Sequence, residues 1–382
     1  MEIVAVECFV LQTPAKDRRS ADQTHEAAVV RIQSDDGSVG VGEAASTPAV
    51  VKAFIEEPTS FFWSQGVRDI LLGQDPRDPR TLWQRLYEGT FWSGRTGLGH
   101  IALAGVDMAL WDLAGNIAQQ PVWQLLGSTE PKPAVPYLTM YSGPSQVAET
   151  IENTVALLDR ALAEGYRAAK IEAPIETAAD NDEIVELVRA VREHAGPDVT
   201  LALDVGYRWK TAAEALDCTR RLEDFDLAFI ESPFMPDCVE DYRELAAACP
   251  TPLAGAEILT AHAEYLPLLD AGVQVIQAGT CRIGITECDR LVRSARARGR
   301  RFVPYGYVST IFSTAANLHV ATAHDNVPLV EHAPATFYPH MVLRNELGGP
   351  EPVMRDGMFE IPSAPGLGVT LDDVALDRYQ VR

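Results

Sequence analysis

Between residues 135 and 331 short apolar runs alternate with helical windows, and few folds tolerate that pattern. The runs occupy 135–141, 168–172, 199–204, 227–231, 252–257, 273–277, 301–304 and 327–331. Each is strand-length and rich in Val, Ile, Leu and Ala. The windows between them, such as 184–194, 212–222, 287–297 and 313–323, carry apolar residues at helical spacing. Eight strands alternating with helices imply an α/β fold with a closed parallel barrel. At 382 residues the chain has room for such a barrel and a second unit.

That second unit reads as α+β and occupies residues 1–130. Strands are expected at 3–11, 27–32 and 39–42, the last two joined by the turn SDDGS. A polar loop at 13–26 separates the first two. A long apolar-periodic helix follows at 100–118, then a short one in QPVWQLLG that Gly127 ends. The barrel is assigned to 131–347. Residues 348–382 read as turns and short strands that pack back on the first unit.

The formal net charge of −22 is a poor match to nucleic acid or anionic lipid. No apolar stretch is expected to span a membrane. The six cysteines are scattered without a CxxC pair, and MEIVAVECFVL lacks the marks of a leader. Reduced thiols and a cytoplasmic location are the expectation. Lysine occurs only at Lys16, Lys52, Lys132, Lys170 and Lys210.

Against that acidic background three carboxylates stand at run ends: Asp204 in LALD, Glu231 in LAFIE and Glu257 in PLAGAE. Their near-equal spacing is the length of one strand, one helix and two loops. Consecutive units deliver such residues to the C-terminal mouth of a barrel, where barrel chemistry sits. An all-oxygen set of this kind suits Mg²⁺, and a dication there would attract a small carboxylate substrate. Lys170 ends the preceding strand in AAKIE. Glu172, two residues on, shares its face by strand period and is expected to act as a charge partner.

With these residues in place the chain resembles the mandelate racemase/muconate lactonizing branch of the enolase superfamily. RIQSDDGSVGVGEA is similar to the branch's early hairpin and HIALAGVDMALWDLAGNIAQQPVWQLLG to its signature helix. AAKIE, ALDVGYRW, FIESPF, AGAE and RIGITE follow in family order. The resemblance implies a modified (β/α)7β TIM-like barrel under an α+β capping domain, one Mg²⁺, and abstraction of a proton α to a carboxylate. It implies Asp204, Glu231 and Glu257 as metal ligands, Lys170 as base, and Glu331 as a hydrogen-bonding partner of the substrate carboxylate. It also implies a homo-oligomer.

Two departures narrow the reaction. The branch's racemases pair an Asp on the sixth strand with a His on the seventh. Here those positions fall on Ala278 or Gly279 and near Tyr305, and no histidine lies between His262 and His319. The muconate-lactonizing arrangement needs a second lysine, and none follows Lys210. A single base fits dehydration of an acid sugar to a 2-keto-3-deoxy acid, with Lys170 recycled as acid or Tyr305 or Tyr307 as proton donor. The alternatives are an epimerase using one of those tyrosines, and a non-catalytic binder of metal and carboxylate. Candidate substrate contacts are Arg18 and Arg19 in the early loop, suited to a distal carboxylate, with Tyr141, Arg208 and Trp209 at strand ends. His25 and Trp63 are further candidates from the capping unit.

Overall fold

The structure is a computed structural model, and it describes residues 1–13, 26–143, 147–174, 179–306 and 309–381. Arg18, Arg19, His25 and Tyr307 lie outside the described residues. Strands β1 (Ile3–Gln12), β2 (Glu26–Ser34) and β3 (Val39–Ala44) form an antiparallel sheet in chain order. Helices α1 (Pro48–Glu56), α2 (Val67–Leu71), α3 (Pro79–Gly89), α4 (Gly97–Ala118) and α5 (Val122–Leu125) complete the first unit.

The barrel then runs β4 (Val135–Met140), α6 (Val147–Ala163), β5 (Ala168–Glu172), α7 (Asn181–Ala195), β6 (Thr200–Asp204) and α8 (Ala212–Arg221). It continues with β7 (Leu227–Glu231), α9 (Val239–Ala248), β8 (Leu253–Gly255), α10 (His262–Ala271), β9 (Val275–Ala278) and α11 (Thr280–Ala297). The last strands are β10 (Arg301–Pro304) and, after α12 (Ile311–Ala323), β11 (Leu329–His332). All eight strands are parallel, and β11 pairs with β4, so seven helices link eight strands in the (β/α)7β order. Helix starts are set locally. Asp180 caps α7 in a capping box with Glu183, and Thr211 caps α8.

Inside the barrel one layer is apolar: Tyr137, Ala168, Ala202, Phe229, Ala254, Val275 and Val303. Three alanines leave room that the Tyr137 and Phe229 rings fill edge to face. This layer closes the barrel floor, so groups two residues further along each strand line the mouth side.

Helix α4 is buried on nearly every side, between β3 and α11. It is long and apolar enough to cross a membrane by length and composition, which corrects the expectation that no stretch reaches that length. Here it is the core helix joining the two units, and its polar residues are the joints. Asp112 accepts from the Val41 and Leu367 amides. Asp107 accepts from the Thr286 amide and hydroxyl on α11. Gly284, at φ +79, breaks α11 where a side chain would strike Asp107. That break explains why α11 starts seven residues before the expected window.

Burial pushes both carboxyls up to about 7. Their folded value is above the unfolded one, so the folded state holds the proton more tightly. The contribution is full below pH 4 and is lost as pH rises toward 7. For Asp107 the shift corresponds to about 4 kcal/mol between the two protonation states. The variant Asp107→Asn keeps the shape, and its amide can still bond Thr286. We expect its thermal stability to fall less than wild type between pH 5 and 8. Parallel pH profiles for the two proteins would count against this assignment.

The tail holds one element the sequence pattern concealed. After α13 (Val342–Glu346) and four two-residue strands comes α14 (Asp373–Tyr379), capped by Asp372. It packs on β1, where the Val381 amide donates to the Val10 carbonyl. The other differences are strand lengths. The fifth barrel strand is only β8, so Glu257 stands beyond it rather than on it.

Candidate active site

Advancing two residues from the floor gives a polar ring: Thr139, Lys170, Asp204, Glu231, Gln277, Tyr305 and Glu331. Lys170 is its centre and is almost fully buried. Its ammonium lies 2.9 Å from both oxygens of Glu231, 3.2 Å from Glu331 Oε1 and 3.4 Å from Asp204 Oδ2. It also sits 5.7 Å from the centroid of the Tyr137 ring. Burial alone would lower the lysine pKa. The surrounding carboxylates, Glu231 and Glu331 foremost, outweigh it and hold the value well above normal. Without a second cation, then, Lys170 is the counterion of the acids. A dication held by the same acids would oppose that pull.

Glu231 is buried, and Gln277 Nε2 donates to its Oε2 at 2.7 Å. Burial and the Asp204 carboxylate raise the Glu231 pKa against the pull of Lys170. Glu257 reaches the ring by a different route. Ala256 has φ +83, which turns the chain out of strand geometry and swings the following side chain inward. Glu257 accepts from Ser232 Oγ at 2.9 and 3.0 Å and from the Tyr207 hydroxyl. Burial and Asp204 raise its pKa as well.

Tyr207, Ser232 and Ala256 all have positive φ, and each lies within three residues of one of the three acids. Strain of this kind gathers where a site over-determines the backbone. Tyr207 and Ser232 were not foreseen from sequence, and neither were Thr139 and Gln277. The period-2 step from the floor would have found the last two.

Among the described residues no three acidic, His or Cys side chains are already drawn in around one ion. The donor set nevertheless fits Mg²⁺. It is all oxygen, it comes from three consecutive β/α units, and burial together with the Asp204 charge raises Glu231 and Glu257, a state that a bound cation would relieve.

Other expected residues fall elsewhere. Arg208 donates to the Pro174 and Ala179 carbonyls, and Trp209 Nε1 bonds Asn181 Oδ1 at 2.9 Å. Both are thus held against the chain that leads into α7. The cause is local: Gly206 and Tyr207 are both left-handed, so the chain turns Tyr207 toward the acids and the next two residues away. Glu172 is half-buried, a layer nearer the mouth, where its charge helps raise the Tyr338 phenol. Glu231 and Glu331 are direct ion-pair partners of Lys170. Glu331 has both oxygens engaged, by Thr139 Oγ1 and Lys170 on one and the Gly306 amide at 2.9 Å on the other. Tyr141 stands half-exposed one residue past β4. Tyr305 is half-exposed, with its phenol pushed up by burial and by the Glu331 and Glu257 carboxylates. Trp63 lies on an exposed face of the first unit.

Residues 1–127 match the mandelate racemase/muconate lactonizing enzyme N-terminal domain, and residues 153–375 match the enolase C-terminal domain-like family. The chain belongs to the mandelate racemase/muconate lactonizing enzyme family. It is an enzyme of the enolase superfamily in that branch. It is 30% identical to D-galactarolactone cycloisomerase of Agrobacterium fabrum, over 100% of this chain and 99% of the relative. It is 30% identical to D-galactonate dehydratase of Cronobacter sakazakii, over 90% and 88%. A crystal structure of a racemase from Streptomyces coelicolor A3(2) with bound magnesium superposes with TM-score 0.83 at 26% identity, covering 99% and 100%.

Proposed function

We propose that this family member is a Mg²⁺-dependent hydro-lyase that dehydrates an acid sugar to a 2-keto-3-deoxy acid. The observation that carries the reading is one buried lysine in a ring that holds no Asp–His pair opposite it among the described residues. β9 ends at Ala278, and the residue after β10 is Tyr305, so the positions for an Asp–His pair hold neither. The dehydratase relative supports the same chemistry.

Asp204, Glu231 and Glu257 would hold the metal. Bound there, Mg²⁺ supplies the positive charge that stabilises the oxygens of a substrate carboxylate as its α-proton leaves. Lys170 Nζ receives that proton. Glu331, tied to Thr139 and Gly306, fixes the direction of the Lys170 side chain. The Tyr305 phenol keeps its proton at neutral pH and donates it to the departing β-oxygen. The barrel floor under Tyr137 keeps water from below.

The cycloisomerase relative favours a second reading, in which the departing β-oxygen belongs to a ring of the substrate. Proton abstraction is unchanged, but the ring opens and no water is lost. The test is a screen of the protein with Mg²⁺ against mono- and diacid sugars and their lactones. Semicarbazide traps the keto acid and mass spectrometry weighs it. A product lighter by one water supports dehydration, and a product of unchanged mass supports ring opening. Deuterium uptake from D₂O at the α-carbon with neither product would overturn both in favour of epimerisation.

A further inference from the structure

The peptide between Tyr305 and Gly306 is held at both ends. The Tyr305 carbonyl accepts from Asn317 Nδ2 at 2.8 Å, and the Gly306 amide donates to Glu331 Oε2 at 2.9 Å. On its other side the Tyr305 amide donates to the Ala278 carbonyl at 3.1 Å. Asn317 is buried on α12. Its Oδ1 accepts from the Thr280 amide at 3.1 Å and from the Thr280 hydroxyl at 2.9 Å. A backbone N–H only donates and a carbonyl only accepts, so these partners fix which way the side-chain amide points. One side chain thus joins the start of α11 to the end of β10. Gly279 clears the way for that approach. Its backbone, at φ −102 and ψ 140, is open to any residue. A Cβ there would lie 2.8 Å from the Tyr305 carbonyl oxygen and 3.5 Å from its ring. The glycine is present for room, not for conformation.

We propose, on the reading of Tyr305 as the proton donor, that Asn317 and Gly279 are positioning residues. They hold its phenol at the acid ring, and the 305–306 peptide ties it through Glu331 to Lys170. Glu331 takes Lys170 on one oxygen and that peptide on the other. A shift of the peptide moves the donor, while the base keeps Glu231 and Asp204. Misplacing a reacting group by about 1 Å can cost about 10²-fold in rate. The phenol is needed only where the β C–O bond breaks and its oxygen leaves as water. Removal of the α-proton by Lys170 does not need it. The two steps therefore separate when Tyr305 moves.

The test compares Tyr305→Phe, Asn317→Ala and Gly279→Ala with wild type, as full chains with Mg²⁺ and the acid sugar that the screen turns over best. Keto-acid formation is measured beside deuterium uptake from D₂O at the α-carbon of recovered substrate. Tyr305→Phe is expected to slow keto-acid formation about 10²-fold or more and to retain exchange. Asn317→Ala and Gly279→Ala are each expected to raise the ratio of exchange to elimination at least about 10-fold. Their Mg²⁺ affinity, read by calorimetric titration, should not move. Gly279→Ala leaves the buried amide intact, so it decides should Asn317→Ala not fold. A readout without substrate accompanies these: fluorotyrosine placed at position 305 alone gives one fluorine resonance, which should shift or broaden in both positioning variants. If that resonance and the ratio stay at their wild-type values while Tyr305→Phe loses elimination, the positioning role is overturned and the dehydratase reading stands. Exchange, elimination and Mg²⁺ affinity falling together mark general damage and overturn it as well. Elimination at the wild-type rate in Tyr305→Phe removes the phenol from the chemistry and takes this role with it. Where no acid sugar is turned over, the dehydratase reading fails, and the fluorine resonance alone decides whether these residues hold the ring.

Discussion

Lys170→Ala is expected to lower kcat by about 10³-fold or more, the scale of a lost general base, and to leave Mg²⁺ binding intact or stronger. The second half of that expectation comes from the ring. Lys170 is the cation that Glu231, Asp204 and Glu331 share in the absence of metal. Removing it leaves buried carboxylates uncompensated, a change that costs about 3–5 kcal/mol in comparable settings. The metal-free variant should therefore melt well below wild type, and added Mg²⁺ should recover most of the difference through binding linkage. Calorimetric titration with Mg²⁺ and melting curves with and without it read both effects. Retained turnover would remove Lys170 from the chemistry. A variant as stable as wild type without metal would show that the ammonium is not the counterion.

Gly42→Ala is expected to destabilise the protein by about 4 kcal/mol or more, among the largest single-residue effects seen in proteins. A Cβ at Gly42 would strike the Gly105 carbonyl and come within 2.7 Å of the Ala109 amide. Both are backbone atoms of α4, which cannot rotate away as a side chain could. Gly40, two residues earlier, meets the same helix at Ala109 and Leu113. Gly37 is the control. It sits in the turn at φ +87 with open space around it, so Gly37→Ala carries only backbone strain, about 1–2 kcal/mol. Comparable melting temperatures for the two variants would rule out a close sheet–helix contact. The contact matters beyond stability because the next residue, Glu43, accepts from the Thr310 amide at 2.9 Å and from its hydroxyl. Thr310 caps α12, so this strand ties the first unit to the barrel.

Much of this was legible because the barrel obeys simple periods. Parallel strands buried on both faces read as apolar runs, and their order placed Lys170, Asp204 and Glu231 at strand ends, while Glu331 was singled out only by the family resemblance. What escaped has identifiable causes. Glu257 reads as a strand end, yet it enters the ring from a turn that a positive φ at Ala256 creates, and no side-chain pattern signals that. The hydrogen bonds of Arg208 and Trp209 to the chain before α7 were not legible, because they follow two consecutive left-handed residues, Gly206 and Tyr207. α14 was hidden because seven residues show too few turns for a periodic pattern. Arg18, Arg19 and Tyr307 lie outside the described residues.

The closing contact between α14 and β1 has a consequence for biosynthesis. Val10 and Val381 are bonded through their backbones across nearly the whole sequence. A ribosome releases β1 early and α14 only after every barrel strand. Gly73 and Gln74 bond Ile3, and Arg68 and Lys52 bond the Val6 and Cys8 carbonyls, from within the first unit, so only the Val10 end of the β1 edge waits for the tail. During that interval a growing chain displays a strand edge of the kind that pairs with strangers. The exposed stretch is short, and the bonds to Gly73, Arg68 and Lys52 keep the rest of that edge occupied while the barrel is made.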